Sequence, residues 1–281
     1  MTKTNTPVTL ETWLNNSGLP RLEARMLLQH VLTISHSHII AHGTQLLSNS
    51  ELASLNQLCQ RRLAGEPLAY LLGWREFYGR RFQVSEAVLI PRPETEHLVD
   101  AVLAHLPAQG TLWDLGTGSG AIAVTIACER PDAQIWAADI SEEALAVAQA
   151  NASALQAQVR FGQGSWYQAQ PQPAPHSVDV IVSNPPYIDA QDPHLQQGDL
   201  RFEPQQALTD NHNGLSAFET IIAGAKDFLR PDGWLLFEHG YDQGEAVRNI
   251  LSQYKFRKIQ TLADLAGLDR VTLGQIKSEA P

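Results

Sequence analysis

From Pro91 onward the sequence alternates between runs that read as strands and runs that read as helices, and this constrains the fold more than any other feature. "TLWDLG", "AQIWAAD", "VRFG", "VDVIVSN" and "GWLLFEHG" are short, apolar and bounded by turn residues. "AIAVTIACER", "SEEALAVAQANASAL" and "LSAFETIIAGAKDFLR" repeat apolar residues at helical spacing. Strands joined through helices must run parallel, and a parallel sheet is covered on both faces. The expected class is therefore α/β, a doubly wound and mostly parallel sheet. In such sheets ligands bind beyond the carboxyl ends of the strands, where the crossovers diverge.

Residues 1 to 73 differ. Apolar spacing in "LEARMLLQHVL" and "ELASLNQLCQRRL" predicts helices, and nothing there reads as a strand. In "GEPLAYLLG", Pro67 stands where a helix can begin and Gly73 where it can end. "EFYGRRFQV" alternates around Gly79 and predicts a short β-hairpin. The expected division is a small N-terminal helical domain over 1–73, a hairpin connector over 74–90 and a larger domain over 91–281. The final segment, "KFRKIQTLADLAGLDRVTLGQI", predicts two strands closing the sheet as a hairpin, with an antiparallel strand at one edge.

No apolar run approaches the ~20 residues that cross a bilayer, and the first ten residues lack the apolar core of a secretory signal. Cys59 and Cys128 stand far apart and read as reduced thiols, so a cytoplasmic protein is expected. A formal net charge of −10 gives no long-range attraction to a phosphate backbone, so stable nucleic-acid binding is not expected. Arg75, Arg80 and Arg81, in the hairpin, read as a solvated basic patch. His36, His38 and His42 lack acidic or thiolate companions and read as helix-end residues, so no metal is assigned.

"WDLGTGSGAIA" is a strand, a glycine turn and a helix start. Gly116, Gly118 and Gly120 leave room for a sharp turn and for a ligand against the main chain; Thr117 and Ser119 lie between them. One such glycine fits any tight turn, but three suit a nucleotide-type cofactor. Asp139 ends the next strand, where a carboxylate accepts hydrogen bonds from ribose hydroxyls. Ser141 can cap the following helix, which leaves Asp139 for the ligand. Both nicotinamide and adenosyl cofactors fit these features.

Asn184-Pro185-Pro186-Tyr187 separates the two. A dehydrogenase has no use for the tetrapeptide, whereas methyl transfer to a planar nitrogen does. An amide nitrogen is a poor nucleophile because its lone pair is delocalised, and it must be held so that it can pyramidalise toward the donor. The Asn184 side-chain oxygen and the Pro185 carbonyl can accept its two N–H groups. Pro185 and Pro186 hold both oxygens in place beforehand, and Tyr187 can lie against the flat group. A plain polyproline turn is the alternative.

"DLGTGSG", "NPPY" and "IPRPETE", with "GEPLAYLLG" ahead and "DLAGLDR" behind, resemble the protein-(glutamine-N) methyltransferases that modify peptide chain release factors. The resemblance runs over nearly the whole chain. It implies a class I, Rossmann-like methyltransferase fold with an N-terminal substrate-binding lobe, S-adenosyl-L-methionine as donor, and the Gly-Gly-Gln loop of class I peptide chain release factors as acceptor. It further implies that Gly116, Thr117, Gly118, Ser119 and Gly120 contact the methionine part, Asp139 the ribose and Trp166 the adenine. Asn184, Pro185, Pro186 and Tyr187 would hold the glutamine, with Asn184 also beside the donor. Many relatives carry an acidic residue before the aromatic, where this chain has Ser165, so the resemblance extends to Trp166 and not to Ser165.

Three rivals remain. A ribosomal-protein glutamine methyltransferase shares the chemistry, but "RPETE" and the N-terminal lobe count against it. A nucleic-acid base methyltransferase also uses such a tetrapeptide, but the acidic charge and lack of a basic recognition domain oppose it. A non-catalytic adaptor would be expected to lose the loop or the tetrapeptide, and both are intact. Arg92 is expected to face the cofactor or the substrate loop, "QGDLRFEPQQAL" to form part of the acceptor cleft, "QPQPAPH" to be a surface loop, and His239 to end a strand near the cofactor pocket.

Overall fold

A computed structural model describes residues 7–277. Residues 1–6 of the stretch considered for a secretory signal lie outside the described residues. Packing divides the chain between Gly73 and Trp74 into two compact units.

The first unit consists of α1 (Leu10–Asn16), α2 (Arg21–Leu32), α3 (His36–Ala41), α4 (Asn49–Leu63) and α5 (Leu68–Leu72). Ser48 and Glu51 form a reciprocal capping box that starts α4, which satisfies donors the first turn would leave unpaired. Leu27 and Leu28 of α2 and Leu55 of α4 are fully buried, whereas Leu22 and Leu63, in the same apolar runs, are exposed, so only part of each stripe read from the sequence is the packed face. Gly73 ends α5 in the left-handed region, with φ 77°.

The second unit opens with the hairpin β1 (Trp74–Phe77) and β2 (Arg80–Gln83). Phe77 and Phe82 are buried in this unit's core, so the hairpin packs as part of it. After the hairpin come α6 (Thr95–His105), β3 (Thr111–Leu115), α7 (Ala121–Glu129), β4 (Gln134–Asp139), α8 (Glu142–Ala154), β5 (Val159–Gln163) and β6 (Val178–Ser183). The chain continues through α9 (Gln205–Leu208), α10 (Ser216–Phe228), β7 (Leu229–Glu238), α11 (Gly244–Gln253), β8 (Arg257–Ala263) and β9 (Asp269–Gln275).

Strand residues alternate between two cores, as the period of two demands. Leu112, Val180, Val182 and Leu236 pack with Leu98, Val102 and Ile122 of α6 and α7. Trp113, Ile181, Leu235 and Phe237 pack with Phe218, Ile222, Val247 and Leu251 of α10 and α11. Both faces are therefore covered, and α7, between the sheet and its neighbouring helices, is buried along Ala121–Ala127.

The sheet order is β5-β4-β3-β6-β7-β9-β8. Strands β3 to β7 are parallel, and β9 runs antiparallel to both its neighbours. The closing hairpin is present, but its antiparallel strand is not at the edge. The crossover through α11 carries the chain one position beyond β7, and β9 returns to fill the gap. Charge agrees with this: Arg257 and Lys258 lie on exposed β8, whereas Val271–Gln275 of β9 is buried. Helix α11 is not among the runs read above as helical, although Val247, Ile250 and Leu251 recur at i, i+3 and i+4.

Candidate functional site

Strands β3 and β6 are neighbours, but the chain leaves β3 toward β4 and β5 and leaves β6 toward β7, so the winding reverses between them. The glycine turn follows one of these strands and the tetrapeptide follows the other. The Ser183 hydroxyl donates to the Leu115 carbonyl at 2.6 Å and ties the two strand ends together. A cavity of ≈ 380 Å³ opens there, within the usual range for small-molecule sites. Gly116, Thr117, Gly118, Ser119, Asp139, Trp166, Asn184 and Pro186 all line it.

The glycines have separate reasons. Gly116 has φ 75°, and a Cβ there would meet the Trp166 ring at 3.3 Å, so the indole and the turn both require glycine. Gly118 has φ 54° and open space where a Cβ would stand. Gly120, expected to touch the cofactor, is outside the cavity wall; a Cβ there would meet Ala148 of α8 and Val124 of α7 at 3.1 Å. Its φ of 80° and the close approach of these helices both favour glycine there. The Asp139 carboxylate accepts from the Gly118 and Ser141 amides, each at 2.9 Å, so it holds the turn as well as facing the cavity. Ser141 caps α8 by accepting from the Ala144 amide, as expected.

Asn184 and Pro186 reach the cavity, whereas Pro185 and Tyr187 are not in its wall. The Tyr187 ring packs against the core under α10, and its hydroxyl donates to Glu238 Oε1 at 3.4 Å. The expectation that this ring faces the substrate is thus not visible in the cavity lining: an aromatic body finds an apolar wall and its hydroxyl a buried acceptor. The Asn184 Nδ2 donates to Thr95 Oγ1 at 3.4 Å.

"IPRPETE" now has a physical account. Arg92 pairs with Glu203, whose side chain is fully buried and also accepts from the Ile90 amide at 3.1 Å. This clamps the segment after the tetrapeptide against the entrance, where Pro204, Ala207 and Thr209 line the cavity. Glu96 accepts from the Tyr78 amide at 2.8 Å and fastens the hairpin to α6. Thr95, Glu203 and Glu238 are site residues that the reading of motifs missed. All three stand inside stretches quoted above, where no local spacing sets them apart from their neighbours.

Among the histidines, His38 and His42 stack at 4.2 Å, and His38 bonds to Gln45. His239 directly follows β7, and it is buried and bonds to Gly240 O and Thr272 Oγ1, away from the cavity wall. In the hairpin, Arg80 pairs with Glu129 and Arg81 lies over the Trp74 ring.

Burial dominates the electrostatics. Asp114 is pushed up to about 7 by desolvation, opposed by the Thr117 hydroxyl, which donates to it at 2.7 Å. Glu238 is pushed up to about 7 by burial, opposed by Thr95 and Arg270. Burial also raises Asp139 and Glu203. An acid with a raised folded pKa binds its proton more tightly when folded, so its contribution to stability falls as pH rises from 3.8 toward about 7 for Asp114. Asp114→Asn should therefore gain stability relative to wild type, on the order of a few kcal/mol, between pH 4 and pH 8. Denaturant titrations at both pH values check this, and a constant difference between the proteins would contradict it.

Residues 12–73 match the PrmC N-terminal domain family, and residues 94–200 match the methyltransferase small domain family. A release factor glutamine methyltransferase of Neisseria gonorrhoeae is 56% identical over 268 residues, 95% of this chain and 98% of the relative. One from Bordetella pertussis is 50% identical over 269 residues, 95% of this chain and 99% of the relative. In three dimensions, a methyltransferase from Pyrococcus furiosus is similar with a TM-score of 0.55 and 16% identity, over 78% of this chain and 98% of that one, which supports the fold. Identity of half or more, sustained from the helical unit through the last strands, is far above what a shared fold alone requires, and this chain belongs to the release factor glutamine methyltransferase family.

Proposed function

We propose that this protein transfers a methyl group to the side-chain nitrogen of the glutamine in the Gly-Gly-Gln loop of class I peptide chain release factors, in the cytoplasm. The observation that carries this reading is that Asn184 and Pro186 share one cavity with Gly116 to Ser119, Asp139 and Trp166. When bound, S-adenosyl-L-methionine supplies an electrophilic methyl group on a sulfonium. The chain fits such a donor: Gly118 offers open backbone, Asp139 retains acceptor capacity beyond its two amide bonds, and Trp166 presents a flat ring.

The acceptor chemistry is orientation. Asn184 Oδ1 and the Pro185 carbonyl would take the two N–H groups of the glutamine amide and fix its nitrogen for in-line attack. As the nitrogen gains the methyl group it becomes acidic and releases a proton to water, so no strong base is required. Tyr187 would support the prolines from behind, and the helical unit before Trp74 would bind the body of the release factor.

Incubation of the protein with labelled donor and a release factor, followed by peptide mass spectrometry, should place the label on the Gly-Gly-Gln glutamine. Label on DNA, RNA or a ribosomal protein, with the release factor unlabelled, would overturn the assignment. Asp139→Ala should weaken donor binding by on the order of 1 to 3 kcal/mol, because charge-assisted hydrogen bonds would be lost. Unchanged affinity in calorimetry would remove Asp139 from the donor site.

A further inference from the structure

Gln243 takes no direct part in that chemistry and does not line the cavity, yet its side chain meets the main chain at the end of the tetrapeptide. It stands immediately before α11, where Ser, Thr, Asp or Asn would ordinarily cap the helix, and it makes no side-chain capping bond to α11. It reaches the other way. Nε2 donates to the Tyr187 carbonyl at 2.9 Å and to the Gly214 carbonyl at 3.3 Å, and Oε1 accepts from the Gly240 amide at 2.9 Å. One carboxamide thus joins three turns: the one after β6, the one before α10 and the one after β7. The amide can only donate and the carbonyls only accept, so the carboxamide has a single orientation.

The packing around this contact is close. Gly214 has φ 75°, and a Cβ there would meet the Tyr187 carbonyl oxygen at 2.2 Å and Gln243 Nε2 at 3.0 Å, so the approach of the two turns requires glycine. Asp210 holds Gly214 in place by accepting from its amide at 3.0 Å and from the Ser216 amide at 2.8 Å.

The tetrapeptide needs an anchor at this end. Ser183 ties its beginning to β3, and the proline rings fix φ at 185 and 186. The rings leave ψ free, and ψ of Pro185 sets where its carbonyl points. Rotation there also swings the chain beyond, so a fixed point after the prolines fixes the carbonyl. Tyr187 is the first residue past them. The Ile188 amide, bonded to the Leu208 carbonyl at 2.9 Å, and the Tyr187 hydroxyl, at 3.4 Å from Glu238, hold the same end less directly.

We propose that Gln243 is a positioning residue for methyl transfer: by holding the Tyr187 carbonyl it sets the direction of the Pro185 carbonyl, one of the two oxygens that grip the acceptor amide. The inference rests on the gripping role given to Asn184 and Pro185 above.

The test uses the full chain with saturating donor and an intact release factor. Gln243→Leu removes all three bonds and should lower kcat on the order of tenfold or more, because small misplacements of a contact to the reacting group are costly. Donor affinity by calorimetry should stay near wild type, and KM for the release factor should change less than kcat. Gln243→Glu keeps the shape, but its carboxylate has no proton for the two carbonyls; protonated, it can donate to Tyr187 and still accept from Gly240. The ratio of its kcat to that of wild type should rise as pH falls from about 8 toward about 5, since two facing carbonyls raise a carboxylate's pKa, while the ratio for Gln243→Leu stays flat. Asp210 beside Gly214, Asp242 beside Gly240, and His239, Arg248 and Asp269 beside Gly244 are common to all three proteins, so their titration cancels in these ratios. A Gln243→Leu protein with kcat within about twofold of wild type, a loss confined to KM or donor affinity, or a Gln243→Glu ratio that does not rise as pH falls would overturn the proposal. Asn184→Ala separates the two levels. If it turns over normally, the gripping role fails and this inference with it; if it is slow while the Gln243 variants behave as wild type, only the anchoring role fails.

Discussion

Asn184→Ala should turn over roughly a hundredfold to a thousandfold more slowly than wild type, the scale expected when one preorganised polar partner of a reacting group is removed. The change deletes a carboxamide whose hydrogen bond to the rest of the protein is a long one, 3.4 Å to Thr95. Pro185 and Pro186 still hold the turn, and Ser183 still ties β6 to β3. The variant should therefore remain folded and bind donor nearly as well as wild type. The loss should fall on kcat more than on KM, because the contact matters most when the nitrogen is pyramidal. Single-turnover kinetics with a release factor check this, and a rate within a fewfold of wild type would exclude the amide-gripping role.

The second large effect lies in the acceptor. A release factor with its Gly-Gly-Gln glutamine changed to glutamate should be labelled on the order of 10⁴-fold more slowly or not at all, since a site built to bond N–H groups rejects a side chain without them. The carboxylate also brings negative charge against two carbonyl oxygens in a cavity where burial already raises the pKa of Asp139. Asparagine should fail for a different reason: one methylene fewer draws the nitrogen back by about a bond length and breaks the in-line approach. Comparable labelling of the glutamine and asparagine proteins, quantified by mass spectrometry, would show that the site does not measure side-chain length.

The sequence by itself determined the local chemistry. A strand's period of two and a helix's of 3.6 are written in neighbouring residues, so the doubly wound sheet could be read from Pro91 onward. A turn at φ 75° and φ 54° admits glycine with least strain, so Gly116 and Gly118 were legible as a turn before any ligand was considered. Asp139 was legible from its place at the end of a strand, and the backbone consequences of Pro185 and Pro186 follow from the residues themselves. Other features depend on which elements the fold sets side by side. Arg92 meets Glu203 across 111 residues, and Asn184 meets Thr95 across 89. Neither pairing has a local periodicity to announce it. Gly120 belongs to the α7–α8 contact because of the approach of Ala148, and Tyr187 turns to the core because Glu238 offers its hydroxyl an acceptor there. The insertion of β9 between β7 and β8 likewise depends on the route of the crossover through α11. Spacing along the chain specifies which residues share one element, but only the packing of separate elements brings Asn184 to Thr95 and Tyr187 to Glu238.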